Sequence, residues 1–252
     1  MTCSRQALVD YCNTVLQPER FKDYGPNGLQ VEGKTLVRRL VTGVTASLAL
    51  IEEAVRLQAD AVLVHHGLFW RGYDGRVTGW MRQRLGTLLA HDINLLAYHL
   101  PLDAHALWGN NVQLGLQLGL QVHSQFGEQM LGCLGQGIAG PWPSVQALAQ
   151  HCEAVLQHAV VSIPSHQGPV ERVAWCTGGA QSYFEAAIAA GAQVYITGEI
   201  SEPQAHYARE CGVAYLACGH HATERYGVQA LGQHLAQQLG IEHVFVDIDN
   251  PA

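Results

Sequence analysis

Short apolar runs recur along this chain, each ends in small or polar residues, and helical segments separate them. Residues 40–44, 59–65, 93–99, 173–177, 193–197 and 213–218 read as strands buried in a sheet. Residues 47–58 read as a helix with Ser47 as its N-cap. Further helices are expected over 5–16, 80–91, 111–118, 144–157, 181–190 and 203–211, with a long one from about Ala222 to Leu239. Shorter strands are expected at 130–134, 160–163 and 244–248. Residues 23–33, rich in Gly, Pro and Asn, read as a loop. This alternation predicts an α/β fold with largely parallel or mixed sheets. A break near 123–128 suggests two domains, 1–125 and 126–252, with the C-terminal helix free to pack back on the first. An internal echo supports two related halves: residues 41–66 and 174–199 align without gaps, each running strand, small-residue turn, helix, strand and polar exit.

Composition narrows the class of protein. With 48% hydrophobic and 14% charged residues the chain is compact and globular rather than disordered. The net charge of −7 argues against nucleic-acid binding, which draws on basic patches. No apolar stretch approaches the ~20 residues of a membrane span, and the first residues carry no signal-peptide core. Seven cysteines, scattered and without a CxxC pair, suit a reduced, cytoplasmic protein with mostly buried thiols. Cys218 stands out because it lies two residues before His220. The 14 histidines equal Lys plus Arg in number, which directs attention to metal ligation and proton transfer.

The histidines fall at strand ends. His65-His66-Gly67 follows directly on Ala61-Val62-Leu63-Val64. Open α/β sheets bind ligands beyond the carboxyl ends of their strands. Adjacent strand side chains point to opposite faces, but with Gly67 freeing the backbone both imidazoles can turn to one site. They then suit two metals, one each, better than a single ion. The competing reading is a hydrogen-bonded pair at a sheet edge. His99 and Asp103 flank Leu100-Pro101-Leu102. Pro101 disfavours helix at Leu100, so the stretch is expected to be extended, with His99 and Asp103 on one face. Asp103 offers a hard oxygen ligand and His99 a ligand or a proton-transfer group; an Asp capping the next turn is the alternative. His220 and Glu224 stand i,i+4 at the start of the long helix, hence on one face, although a Glu there also complements the helix dipole.

These six donors exceed one tetrahedral site and match two divalent ions bridged by a carboxylate. Zn, Fe, Mn, Co or Ni would all suit mixed imidazole and carboxylate ligands. Such a pair lowers the pKa of bound water toward roughly 7. Glu199, in Thr197-Gly198-Glu199, ends a strand at the position echoing His66; it reads as a catalytic base or as a cap near Pro203. Phe69, Trp70 and Arg71 can stack on a planar substrate or serve loop packing. Gly178-Gly179 could seat an anion.

The motifs DYGPNGLQVEG, GVTAS, ADAVLVHHG, YHLPLDAH, ITGEIS and GHHATERYG resemble the bacterial branch of the Nif-three-like family, also labelled GTP cyclohydrolase I type-two homologues. The resemblance spans about residues 23–230. It implies two α/β domains with a dinuclear metal site between them and a ring-shaped hexamer. Its metal ligands carry over to His65, His66, Asp103, His220 and Glu224, with His99 near or on the metals. Many relatives have an Asp in the motif around Gly43-Val44-Thr45; this chain has none, so no role for that Asp transfers. The activity expected is metal-dependent hydrolysis of a small planar or nucleotide-like substrate, with His99 and Glu199 moving protons. The alternative is a non-catalytic, metal-binding, ring-forming regulatory or scaffold protein.

Overall fold

The structure, a computed structural model, describes residues 1–252. In chain order its first half runs β1 (Cys3–Ser4), α1 (Arg5–Leu16), β2 (Gly28–Val31), β3 (Leu36–Val37), β4 (Arg39–Thr45), α2 (Leu48–Arg56), β5 (Ala61–His66), α3 (Gly79–Ala90), β6 (Asn94–Ala97), α4 (Leu100–Ala104) and α5 (Asn110–Gln117). It continues β7 (Leu120–Phe126), β8 (Gly132–Gly137), α6 (Val145–Leu156), β9 (Val161–Ile163), β10 (Val173–Trp175), α7 (Phe184–Ala189), β11 (Val194–Thr197), α8 (Glu202–Cys211), β12 (Ala214–Ala217), α9 (His220–Leu239) and β13 (Glu242–Phe245). One compact unit holds residues 1–109 and 227–249, the other 110–226 and 250–252. The expected boundary at 125/126 falls inside β7, which pairs with β8. The long C-terminal helix begins in the second unit and ends in the first.

The first unit is built on a sheet of order β13-β4-β5-β6-β2, with β2 antiparallel at one edge and the other four strands parallel. Its central strand shows why the sequence is an unbroken apolar run. Val62 and Val64 point to one face, where they join Leu50, Ile51, Met81 and Leu88 from α2 and α3. Ala61 and Leu63 point to the other, against Leu8, Cys12, Val228 and Leu231 from α1 and α9. Helices thus cover both faces, and a strand with period-2 side chains has no solvent face left for a polar residue. Ser47 caps α2 through its hydroxyl, which accepts from Leu50 N at 3.2 Å.

The second unit has the order β7-β8-β10-β11-β12-β9, with β10, β11 and β12 parallel. Trp175, Ile196 and Leu216 line one face with Leu148, Cys152 and Leu156 of α6. On the opposite face Phe184, Tyr195 and Tyr215 meet as a triad with centroids 4.9 to 5.7 Å apart. Both buried phenols donate to carbonyls, Tyr195 to Ala180 and Tyr215 to Glu199, so neither hydroxyl is left unsatisfied by its burial.

The internal echo is structural. Asp60 Oδ2 accepts from Arg38 N and Arg39 N at 2.9 and 3.1 Å, and Gln193 Oε1 accepts from Glu171 N and Arg172 N at 2.7 and 2.9 Å. Asp60 and Gln193 are equivalent in the ungapped alignment, Arg38 and Arg39 stand at the same offset from Glu171 and Arg172 just before it, and the backbone bonds around them match as well.

Three expectations need correction. The 23–33 segment is not all loop, because β2 within it pairs with β6. The 123–128 break is the end of β7 and the turn after it. The Leu100-Pro101-Leu102 stretch is helical, not extended: α4 carries Pro101 in its first turn, where a missing N–H costs no intrahelical bond. Leu102 N and Asp103 N both donate to His99 O, at 2.9 and 3.1 Å. The i,i+4 spacing still places His99 and Asp103 on one side.

Candidate metal centre

In the first unit, β5 ends in His65 and His66, while His99 and Asp103 bracket the single turn of α4 after β6. His65 is fully buried; its Nδ1 donates to Tyr98 O at 3.0 Å, which makes Nε2 the lone-pair nitrogen of the neutral ring, 3.4 Å from Asp103 Oδ1. His66 Nδ1 lies 3.2 Å from Thr45 Oγ1. His99 Nδ1 donates to Asp23 Oδ1 at 2.6 Å. The ligand nitrogens of His65, His66 and His99 lie within 4.8 Å of one another, a group able to hold a metal ion. Gly67 follows for a reason of space: a Cβ there would collide with the Gln30 amide and Ala97 Cβ. Gln30 in turn accepts from Leu68 N at 2.8 Å and fixes the chain's exit from β5.

Aromatic side chains border this group. The Trp70 indole stands perpendicular to the His99 ring at 5.0 Å and 5.9 Å from His66, and Tyr24 meets His99 edge-on at 6.1 Å. Arg71 sits over the Tyr24 ring, and its N donates to Tyr24 O at 2.6 Å. Phe69 packs instead toward Tyr73 and the α2–α3 core.

In the second unit, α9 starts two residues earlier than its periodicity suggests, placing His220 in the first turn with Glu224 one turn on. His220 Nε2 lies 3.2 Å from Glu224 Oε2, and His220 Nδ1 donates to Glu199 Oε1 at 2.6 Å. Gln181 Nε2 donates to the other Glu199 oxygen at 3.2 Å. Burial pulls the His220 imidazole down, but the hydrogen bonds and charges of Glu224 and Glu199 outweigh it and raise its pKa to about 9. A field that favours a proton on this ring also favours a cation beside it.

The glycines of this unit make room for those side chains. A Cβ on Gly178, whose φ is +67°, would collide with Glu224 Oε1, and one on Gly198 would press on the His220 backbone. The anion seat expected at Gly178-Gly179 is therefore filled by the protein's own carboxylate. Cys218 takes no part: its thiol is buried and pushed well up by a hydrogen bond with Cys152 and by desolvation.

The donor chemistry fits a first-row divalent ion. Each unit offers imidazole nitrogen with carboxylate oxygen, and Nδ1 of His65, His99 and His220 is committed to an oxygen acceptor behind the ring. Metal-ligating histidines take just such outer partners, which fix tautomer and orientation. Sequence reasoning missed Asp23 and Asn27. Asp23 is 76 residues from His99 and lies in a segment without periodicity, so only the fold gives it a role.

Fold and donors together define a class: an α/β protein with imidazole–carboxylate groups at the ends of its parallel strands. The chain belongs to the Duf34/NIF3 (NGG1p interacting factor 3) family, whose model matches residues 3–251. It is 50% identical over 248 residues to a Neisseria meningitidis serogroup A protein named GTP cyclohydrolase 1 type 2 homolog, covering 98% of this chain and 99% of that one. A Pseudomonas aeruginosa protein of the same name is 50% identical over 254 residues, covering 100% of both. Among solved structures, one described as protein ybgI, of unknown function, has a TM-score of 0.95 at 47% identity, covering 99% of this chain and 100% of that chain. The Thermus thermophilus protein TTHA1606 follows the same fold with a TM-score of 0.88 at 32% identity, covering 99% and 100%.

Proposed function

We propose that this protein is a metal-dependent hydrolase with a dinuclear metal centre. The metal ligands are His65, His66 and Asp103 from the first unit and His220 and Glu224 from the second. One arrangement carries the proposal: His65 and His220 are each held at Nδ1 by an oxygen acceptor while Nε2 stands beside a carboxylate of the same unit. When bound, two divalent ions of the Zn, Fe, Mn, Co or Ni type would supply Lewis acidity and an acidified water at neutral pH. His99 is placed to move protons at its Nε2, because Asp23 holds its Nδ1. Glu199 orients His220, and its half-exposed carboxylate exchanges protons with solvent. Tyr24 and Trp70 wall the His65, His66 and His99 group with planar surface, which suits a planar heterocycle. The name shared by the relatives makes ring-opening hydrolysis of a purine nucleotide such as GTP the first reaction to assay.

The test is elemental analysis of native protein, followed by hydrolysis assays on nucleotides, esters and amides with Asp103→Ala and Glu224→Ala. Bound divalent metal, and hydrolysis lost in both variants, is the expected result. Metal-loaded protein inert on every substrate, or variants as active as wild type, would sink the catalytic reading.

A second reading is favoured by Val77 and Trp80, which are 49% and 56% exposed just before and at the start of α3. Large apolar side chains held in water suit a contact with further copies. In this reading the chain is a cytoplasmic, metal-binding scaffold forming a homohexameric ring. Chelation distinguishes the two: a structural metal dissolves the oligomer, seen by light scattering, whereas a catalytic one leaves it intact. No helix is long and apolar enough to cross a membrane.

A further inference from the structure

The 23–27 loop makes an unusual concentration of bonds onto one short stretch of chain. The Asp23 side chain is only 4% exposed, and it accepts four hydrogen bonds. Oδ1 takes His99 Nδ1 at 2.6 Å and Tyr24 N at 2.6 Å. Oδ2 takes Asn27 Nδ2 at 2.8 Å and Leu100 N at 3.0 Å. Leu100 N is the first amide of α4, whose fourth residue is Asp103. Asn27 Oδ1 accepts from His99 N at 2.7 Å, so the same loop also grips the His99 backbone.

We infer that Asp23 is the positioning residue of the first unit's histidine group, a single buried carboxylate that fixes both the His99 ring and the turn carrying Asp103. A carboxylate removed from water is costly unless its lone pairs are filled. Here two of the four bonds come from His99 Nδ1 and Leu100 N, and a third from Asn27, which itself holds His99 N. That makes the geometry of the turn and the solvation of Asp23 one problem with one solution. Neither His99 nor the α4 turn can move without stripping partners from a buried charge. Trp70 and Tyr24 flank the His99 ring, and with Nδ1 held by Asp23 its Nε2 is the other nitrogen able to ligate or carry a proton. Asp23 touches neither metal nor substrate and acts only through His99 and Asp103.

The inference rests on the proposed function for its consequence but not for its test. In metal-free full-length protein, long-range proton–nitrogen NMR of the imidazoles reads which nitrogen of His99 carries the proton. Wild type should hold it on Nδ1. Asp23→Asn should redistribute it, because an amide can present either a donor or an acceptor to that nitrogen. Zn²⁺ alone, titrated against a competing chelator, should bind Asp23→Asn about 10–100-fold more weakly. Arg71→Ala is the control: its guanidinium donates to Asp23 O at 3.1 Å, so its loss loosens the same loop but leaves every bond of the Asp23 carboxylate, and tautomer and Zn²⁺ affinity should stay near wild type. An Asp23→Asn protein with wild-type tautomer and affinity overturns the inference. Equal losses in Arg71→Ala overturn it as well, since they would show loop integrity rather than the Asp23 carboxylate to be what matters. If wild type binds no Zn²⁺, the proposed function fails, and the tautomer alone decides the role of Asp23.

Discussion

Asp60 in the first unit and Gln193 in the second occupy equivalent positions and bind equivalent amides, yet one is charged and the other is not. Asp60 adds an ion pair with Lys34 at 2.7 Å, whereas Gln193 fulfils the backbone need alone. The two frameworks therefore repeat down to single hydrogen bonds while their chemistry diverges. The same contrast governs the strand ends. His65 and His66 stand where the second unit has Gly198 and Glu199, and Thr45 stands where it has Gly178. Both units still produce a carboxylate 2.6 Å from the Nδ1 of a histidine. In the second unit it comes from the end of β11, in the first from the loop before β2. A framework requirement is local and passes unchanged to a repeated unit. A site requirement is set by geometry in space, and a different element can meet it.

The comparison can be broken at several points. The largest effect is expected at Trp175, fully buried, with Gly115 and Gly135 making room for its indole and Nε1 bonded to Asn111 O at 2.8 Å. Trp175→Ala should cost about 3–5 kcal/mol in urea unfolding. Thr42, its equivalent, bonds His243 Nε2 at 2.9 Å, and Thr42→Val should cost only about 1–3 kcal/mol. Equal costs would mean that the second core is not anchored on one large ring.

Gly178→Ala comes next. A left-handed backbone costs a non-glycine residue about 1–2 kcal/mol, and the new Cβ must also displace Glu224. Melting temperature and Zn²⁺ affinity should fall together. Thr45→Ala, at the equivalent place, should leave the fold intact, and a fold that collapses there would refute the assigned asymmetry.

Glu199→Gln should weaken Zn²⁺ binding by roughly tenfold, the low end of outer-partner effects. Its side chain is 44% exposed, against 4% for Asp23, so water replaces part of what is lost. A loss larger than that of Asp23→Asn would reverse the ranking of the two carboxylates.

The smallest effect concerns pH. Burial alone would raise the Asp60 carboxyl, but bonds from Lys34, Arg38 N and Arg39 N hold it below its ordinary value. Its contribution is then complete above the unfolded value near 3.9 and fades as pH falls through the lower folded one. Asp60→Gln, which installs the second unit's solution, should be less stable than wild type at neutral pH by less than about 1 kcal/mol, because the Lys34 pair is solvent-screened. The difference should vanish in acid. Urea midpoints that stay offset by the same amount at every pH would show that the charge is not responsible.

Much of this is legible in the residues. Apolar runs with β-branched residues locate the central strands, since burial on both faces leaves no other composition. Ser47 announces α2, and the doublet His65-His66 marks the carboxyl end of β5. The glycines are harder to read. Gly67 reads as backbone freedom but provides room beside Gln30, and Gly178 reads as an anion seat but accommodates Glu224. Pro101 misleads because its effect on the preceding residue is a preference, and three bonds from the 23–27 loop to His99 and Leu100 outweigh it.

The sequence by itself determined the fold class and the repeat and singled out the histidines and carboxylates at the strand ends, because periodicity and residue chemistry are local properties. Only the tertiary structure decided which oxygen stands behind each imidazole. Asp23 and His99 are far apart in the chain and share no pattern. They meet because β2 pairs with β6, which carries the loop before one strand to the end of the other.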